Sequence, residues 1–295
     1  MSPALVRTNR ELDSVLMPAH LASAPVALVP TMGALHDGHR ALMREARIVA
    51  DVVVTSVFVN PTQFAPGEDL ERYPRDLSAD IEICASEGVD IVYAPGVDQV
   101  YPEGTSGGIT VDPGELGRIL EGASRPTHFR GVLTVLTKLS ALVGPSQVLL
   151  GEKDYQQLAL VRAMVRDFCS SEQVIAVPTV REAGGLAMSS RNRYLTEEQR
   201  DHARALFRAL KAGEHCAPDG SDAVLTAARD VLQAAEGLTV DYVALTDPDL
   251  GPAPTHGPAR LLLAAAVGGT RLIDNIAVDL GADPGAPDLP HPSGV

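Results

Sequence analysis

The sequence predicts an α/β chain: a Rossmann-like parallel sheet with helices on both faces, followed by a smaller C-terminal α+β domain. Three observations carry this expectation. The run 52–59 is rich in β-branched residues and shows no apolar–polar alternation, the pattern of a strand covered on both faces. Apolar runs alternate with stretches of helical spacing, as in repeated strand–helix–strand units. After Val180 the order changes to two helices and then three strand-like runs.

After a short polar lead, 25–30 (PVALVP) has the length of a buried strand. A glycine-containing loop leads into a helix over 38–50, where Leu42, Ala46 and Val49 recur at helical spacing. The next strand is 51–59, a loop starts at Asn60, and a helix over 77–86 precedes a strand at 89–94. A helix over 132–143, a strand at 147–150, a helix over 155–168 and a strand at 174–180 complete a first domain, 1–180. Such sheets bind ligands beyond the carboxyl ends of their strands, so the loops after Val29, Val59, Leu150 and Val180 are the places to seek chemistry. In the second domain, 181–280, a loop over 181–195 leads to a helix opened by Thr196, with Glu198 and Gln199 close behind. A helix over 222–235 and strands at 240–245, 260–266 and 271–278 follow, and this domain is expected to close over the site. The stretch 281–295, rich in Pro, Gly and Asp, reads as a disordered tail.

Acidic side chains outnumber basic ones, 38 to 24, giving a net charge of −14 that repels a nucleic-acid backbone. A few buried cations can still set the potential of one cleft. The apolar runs 52–59 and 261–267 are too short to span a bilayer. Residues 1–9 lack the basic patch and apolar stretch of a secretory signal, so a cytoplasmic location is expected. Cys84, Cys169 and Cys216 match no metal-ligand spacing and read as packing or surface thiols in a reducing compartment.

Four loops carry candidate chemistry. In Met32-Gly33-Ala34-Leu35-His36-Asp37-Gly38-His39, a strand gives way to a helix, whose free N–H groups and dipole favour an anion. His36 and His39 can donate to phosphate oxygens, and Gly38 between them would admit a phosphate close to the backbone. Taken alone, the two imidazoles read equally well as surface histidines at a helix cap; the position after a buried strand favours phosphate. Asn60-Pro61-Thr62-Gln63-Phe64 ends the most apolar strand, and the Gln63 amide offers a donor and an acceptor to a polar substrate. Gly151-Glu152-Lys153-Asp154 supplies a cation for phosphate and a carboxylate for ribose hydroxyls, with Gln157 in the first turn of the following helix. Asp154 reads as well as a plain N-cap. Met188-Ser189-Ser190-Arg191, in a glycine-rich loop, suits a polyphosphate, or is a flexible polar linker. There is no G-x-x-x-x-G-K-[ST] loop, no G-x-G-x-x-G fingerprint and no nucleophile elbow. The set points to phosphoryl chemistry by positioning and electrostatics, without covalent catalysis by the protein.

Together the stretches PTMGALHDGH, SVFVNPTQF, LEGASRPTHFRGV, GEKDYQQL and MSSRNRYL, in this order over roughly 24–280, resemble the pantothenate synthetase (pantoate–β-alanine ligase) family of the nucleotidylyltransferase superfamily. The first and last are also similar to the HIGH and KMSKS signatures of class I aminoacyl-tRNA synthetases. The resemblance implies that pantoate attacks the α-phosphate of ATP, with Mg²⁺, and that β-alanine then captures the pantoyl adenylate to give pantothenate and AMP. It implies that Met32–His39 line the ATP site, with His39 as proton donor and His36 at the phosphates. Gln63 and Gln157 would hold pantoate, with Gln63 also near the β-alanine amine and with Asn60 and Tyr73 at the substrate. Gly151, Glu152, Lys153 and Asp154 would bind nucleotide, Val180 would meet adenine through its backbone, and Met188, Ser189, Ser190 and Arg191 would complete the site, the last three on the phosphates. Asp80 would help place Mg²⁺ or its waters. The family is dimeric through its N-terminal domain, which implies a homodimer. Thr62 departs from the usual methionine, a change expected to loosen the pantoate pocket. A related transferase that passes AMP to a phosphorylated acceptor would want extra cations where this chain has neutral amides, and a nucleotide binder without catalysis would have no reason to keep this set of cations.

Overall fold

The computed structural model describes residues 2–65 and 67–281, so the tail expected over 281–295 lies, apart from Gly281, outside the described residues. The chain divides into two compact units: Met1–Glu182 with Ala187–Arg193, and Ala183–Leu186 with the chain from Tyr194.

The first unit holds β1 (Ala4–Val6), α1 (Asn9–Leu21), β2 (Val26–Thr31), α2 (Asp37–Val49), β3 (Val52–Val57), α3 (Leu77–Ser86) and β4 (Ile91–Tyr93). It continues with the short α4 (Val97–Val100) and α5 (Glu121–Ser124), then α6 (His128–Val143), β5 (Gln147–Gly151), α7 (Tyr155–Asp167) and β6 (Gln173–Val177). Its strands form one parallel sheet of order β1-β4-β3-β2-β5-β6. Ala27, Val29, Met43, Ala46, Val53, Val92 and Leu149 pack between sheet and helices with at most trace exposure. The buried faces of β2 and β3 explain their unbroken apolar runs.

Two elements correct the reading of a polar lead. β1 is a three-residue edge strand, and α1 is a full helix opened by a Thr8–Glu11 capping box. Only Leu12, Leu16 and Ala19 of α1 are buried, while Val15, Met17 and Leu21 face outward and Pro18 sits inside the helix, so its apolar stripe is blurred. α6 also begins earlier than the spacing suggests, because Gly131 in its first turn masks the start. A Cβ there would lie 2.3 Å from the Thr62 carbonyl oxygen, so close packing against the 60–64 turn requires glycine.

The second unit contains α8 (Glu197–His215), α9 (Ser221–Gln233) and an antiparallel sheet β7 (Leu238–Thr246), β8 (Gly257–Val267), β9 (Thr270–Leu280). Thr196 and Gln199 form a reciprocal cap on α8. Gly268 and Gly269, both at positive φ, make the tight β8–β9 turn. Leu206, Leu210, Leu232, Leu261 and Leu263 fill its core.

The strand order places the binding crevice. From β2 the chain winds to β3 on one side; from β5 it winds to β6 on the other. β2 and β5 are neighbours, so their carboxyl ends diverge at a topological switch point, the usual ligand position in open α/β sheets.

Candidate active site

Both sides of that switch point carry predicted site loops: Met32–His39 follows β2, and Glu152–Asp154 follows β5 as a short 3-10 turn. The first loop is built by its own polar groups. The Gly33 N–H donates to Thr31 Oγ1 at 3.2 Å. Asp80, 3 % exposed on α3, accepts from the Ala34 N–H at 3.1 Å and the Leu35 N–H at 2.8 Å, one on each carboxylate oxygen. Gly33, at φ +83°, is required there, because a Cβ would fall 2.8 Å from Asp80 Oδ2. The side chains of Ala34 and Leu35 point into the core. Burial pushes the Asp80 carboxyl up, and those two amide bonds only partly offset it.

The two histidines lock each other at the start of α2. The Gly38 N–H donates to His36 Nδ1 at 3.1 Å, and the His36 N–H donates to His39 Nδ1 at 3.2 Å. Their rings lie 4.1 Å apart between centroids. Since each Nδ1 accepts a backbone N–H, the neutral rings carry their proton on Nε2 and present it as a donor. Burial, reinforced by the Lys153 charge, pushes His36 down to about 4. Burial together with His36 pushes His39 down to about 3. This geometry corrects one expectation. The N–H groups of Gly33, Ala34, Leu35, His36, Gly38 and His39 are already bonded within the protein, so imidazole Nε2–H groups take the place of free helix-end amides. Gly38 also makes room for the His36 ring, 2.9 Å from where its Cβ would stand.

Across the crevice, a Cβ on Gly151 would meet nothing within 4 Å, leaving its backbone open to close approach. Lys153 Nζ donates to Asp154 Oδ1 at 3.3 Å, and Glu152 is half-buried beside them. Desolvation pushes the Asp154 carboxyl up, but the Lys153 charge and hydrogen bond, with Arg191, outweigh it and hold it below the usual range. In α7 the two glutamines differ. Gln156 is buried, accepting from the Glu121 N–H and donating to the Leu116 and Ile119 carbonyls, and so braces the segment before α5. Gln157 is half-buried and makes no side-chain hydrogen bond to a described residue.

At the end of β3, Asn60 is 1 % exposed, and Gln63 Nε2 points at Met32 Sδ, 3.0 Å away, which joins this turn to the histidine loop. The Gln63 carbonyl accepts from Arg125 Nη2 at 3.2 Å and from His128 Nδ1 at 3.0 Å. Burial, with Arg125 beside it, pushes His128 down to about 4, so the ring donates in its neutral form. The Met188–Arg191 stretch belongs to the same unit. The Met188 N–H donates to the Val180 carbonyl at 2.9 Å, Ser189 Oγ accepts from the Arg191 N–H, and Ser190 Oγ lies 3.4 Å from the buried Tyr73 hydroxyl. Arg191 grips Asp69 with both ends of its guanidinium at 3.2 Å. Asp69, Arg125 and His128, which touch these candidate residues, are not singled out by the sequence; the last two sit in the RPTHFRGV stretch, where a cation precedes α6 and an imidazole opens it. Among the described residues no three His, Cys, Asp or Glu side chains are grouped to hold a metal.

Residues 4–277 match the family model for pantoate-beta-alanine ligase. The pantothenate synthetase of Nocardia farcinica is 55 % identical over 287 residues, 96 % of this chain and 90 % of the relative. That of Mycolicibacterium smegmatis is 53 % identical over 282 residues, covering 95 % and 89 %. Among solved structures, the Thermus thermophilus pantothenate synthetase superposes with a TM-score of 0.86 at 44 % identity, over 92 % of this chain and 98 % of that one. The Francisella tularensis pantoate-beta-alanine ligase, complexed with βγ-ATP and β-alanine, gives 0.78 at 34 % identity over 93 % and 97 %.

Proposed function

This chain belongs to the pantoate–β-alanine ligase family, and from that membership we propose how its own residues divide the work. The reaction is the ATP-dependent condensation of pantoate with β-alanine to pantothenate, through pantoyl adenylate, with release of pyrophosphate and AMP. Both nucleophiles, a carboxylate and then an amine, belong to substrates. The protein therefore has to orient them, shield the adenylate from water and stabilise charge as a P–O bond breaks.

The observation that carries the division is the pair of Nε2–H imidazoles at the switch point, facing Lys153 across it. His39 donates to the phosphate oxygen on which charge develops, and His36 holds the neighbouring phosphate. Lys153, Ser189, Ser190 and Arg191 draw charge from the polyphosphate. Met32–Gly38 and the Gly151–Asp154 backbone seat the nucleotide, with Asp154 on ribose and Val180 and Met188 at adenine. Gln63 and Gln157 hold pantoate, with Asn60 and Tyr73 behind them.

Mg²⁺ fits this site as a companion of the nucleotide. Beside the histidine loop stands the buried carboxylate of Asp80, whose two oxygens already accept backbone N–H groups, so it would reach the ion through water. When bound, the ion neutralises phosphate charge. We read the assembly as a cytoplasmic homodimer built on the first unit. Ile109, 95 % exposed, is the apolar side chain such an interface would cover. Sedimentation of the parent and Ile109→Asp proteins checks this, and identical masses for both would remove Ile109 from the interface.

Pyrophosphate release from ATP and Mg²⁺, measured with pantoate before and after β-alanine is added, tests the assignment. Pantoate-dependent release, with pantothenate formed only once β-alanine is present, is expected. ATP binding without pantoate-dependent release would overturn it.

A further inference from the structure

Asn60 sits inside a closed set of hydrogen bonds that decides which end of Gln63 faces the site. Two partners of the Asn60 amide have a fixed sense. The Thr62 N–H can only donate, and it reaches Asn60 Oδ1 at 3.3 Å; the Gly131 carbonyl can only accept, and it takes Asn60 Nδ2 at 3.2 Å. The amide therefore has one satisfied orientation. Two hydroxyls then load the same Oδ1: Thr62 Oγ1 at 2.9 Å and the Tyr101 hydroxyl at 2.9 Å, themselves 3.1 Å apart. Tyr101 is buried, and Lys138 Nζ lies over its ring, 5.3 Å from the centroid.

The remaining proton of Asn60 Nδ2 goes to Gln63 Oε1 at 3.0 Å. Gln63 therefore has its carbonyl end tied back, while among the described residues its NH₂ end meets only the Met32 thioether, a weak acceptor. An under-satisfied amide donor at a pocket wall selects an oxygen acceptor and disfavours a donor such as an ammonium group.

We propose that Thr62 and Tyr101 are positioning residues that set the polarity of substrate recognition: through Asn60 they hold Gln63 as a hydrogen-bond donor to a carboxylate or hydroxyl oxygen of the acyl substrate. The proposal rests on the reading that Gln63 contacts pantoate. It gives the threonine at position 62 a role other than a loosened pocket, because its hydroxyl faces Asn60 and Tyr101. The high pKa imposed on Tyr101 by burial keeps its phenol protonated and able to donate.

The test is steady-state kinetics of Thr62→Val and Tyr101→Phe, with KM for ATP as the internal control. Loss of one hydrogen bond to a shared acceptor predicts a pantoate KM raised about three- to tenfold in each variant. The ATP KM and the melting temperature stay put, and Thr62→Ser restores the parent value. The two substitutions combine less than additively, since both act on one oxygen. Gln63→Glu, which keeps an acceptor for Asn60 but turns an anion towards the substrate, raises pantoate KM more than Gln63→Ala does. Pantoate KM within twofold of the parent in both Thr62→Val and Tyr101→Phe, while Gln63→Ala raises it, overturns this inference alone. No effect of Gln63→Ala on pantoate KM overturns the placement of pantoate itself, and the inference with it.

Discussion

At the scale of single residues, the proposed chemistry depends on two neutral rings kept in one tautomer. His39 Nδ1 is occupied by a backbone amide, so in the proposed role the ring acts through Nε2–H alone. His39→Ala should lower pantoate-dependent pyrophosphate release by about two to three powers of ten, the range seen when one oriented donor to a developing oxyanion is lost. Its melting temperature should change little, and near-parental turnover would remove the role. The same environment makes a prediction about stability. His36, His39 and His128 are pushed down to about 4, 3 and 4 in the fold, whereas unfolded histidine titrates near 6.5. A lowered folded pKa means that the unfolded chain takes up these protons first. Their contribution is therefore complete above about pH 6.5 and is lost as pH falls from there towards about 3, the folded value of His39. Urea midpoints for the ligand-free protein should drop between pH 7.5 and 5, and His39→Gln should flatten the drop. Equal slopes in parent and variant would contradict the burial argument.

At the scale of elements, the site is a set of turns, each pressed into shape by a neighbour. α6 meets the 60–64 turn at Gly131, where a methyl group would collide with the Thr62 carbonyl and sit 2.7 Å from the Gln63 amide nitrogen. Gly131→Ala should cost about 1–3 kcal/mol of stability through overpacking and raise pantoate KM, because the displaced turn carries Gln63. A variant that melts lower but binds pantoate normally would separate packing from recognition. This scale also shows what the sequence could convey. The unbroken apolar runs of β2 and β3 and the apolar spacing of α2 are local, and they marked sheet, helix and the loops between them. The destination of two N–H groups in 33–39, those of Ala34 and Leu35, was not local, because their acceptor, Asp80, arrives on α3. Gln156 and Gln157 are neighbours of one chemical type, and only the packing of the 116–121 segment separates the brace from the candidate ligand. Asp69 was invisible as a site residue for the same reason, since its partner Arg191 is distant in sequence.

At the scale of the whole molecule, each of the two compact units has its own core. Leu261 belongs to the core of the second unit and is fully buried. Leu261→Ala should destabilise that unit by about 2–5 kcal/mol. Hydrogen exchange should then quicken in β7, β8 and β9 while β2, β3 and β5 stay protected; uniform quickening would mean that the units unfold as one. The order of elements changes after Val180, and order survives in a linear string; that Ala187–Arg193 belong to the first unit does not, because it depends on where the chain returns.

The pairing of β2 with β5 has a consequence in time. Val26 and Ser146 meet across 120 residues, so the two halves of the crevice are joined by one of the longest loop closures in the first unit. The histidine loop leaves the ribosome long before the Lys153 loop exists. A nascent chain released short of β5 would carry its imidazoles without the facing cation, and would gain nucleotide affinity abruptly, once β5 and α7 have emerged and docked.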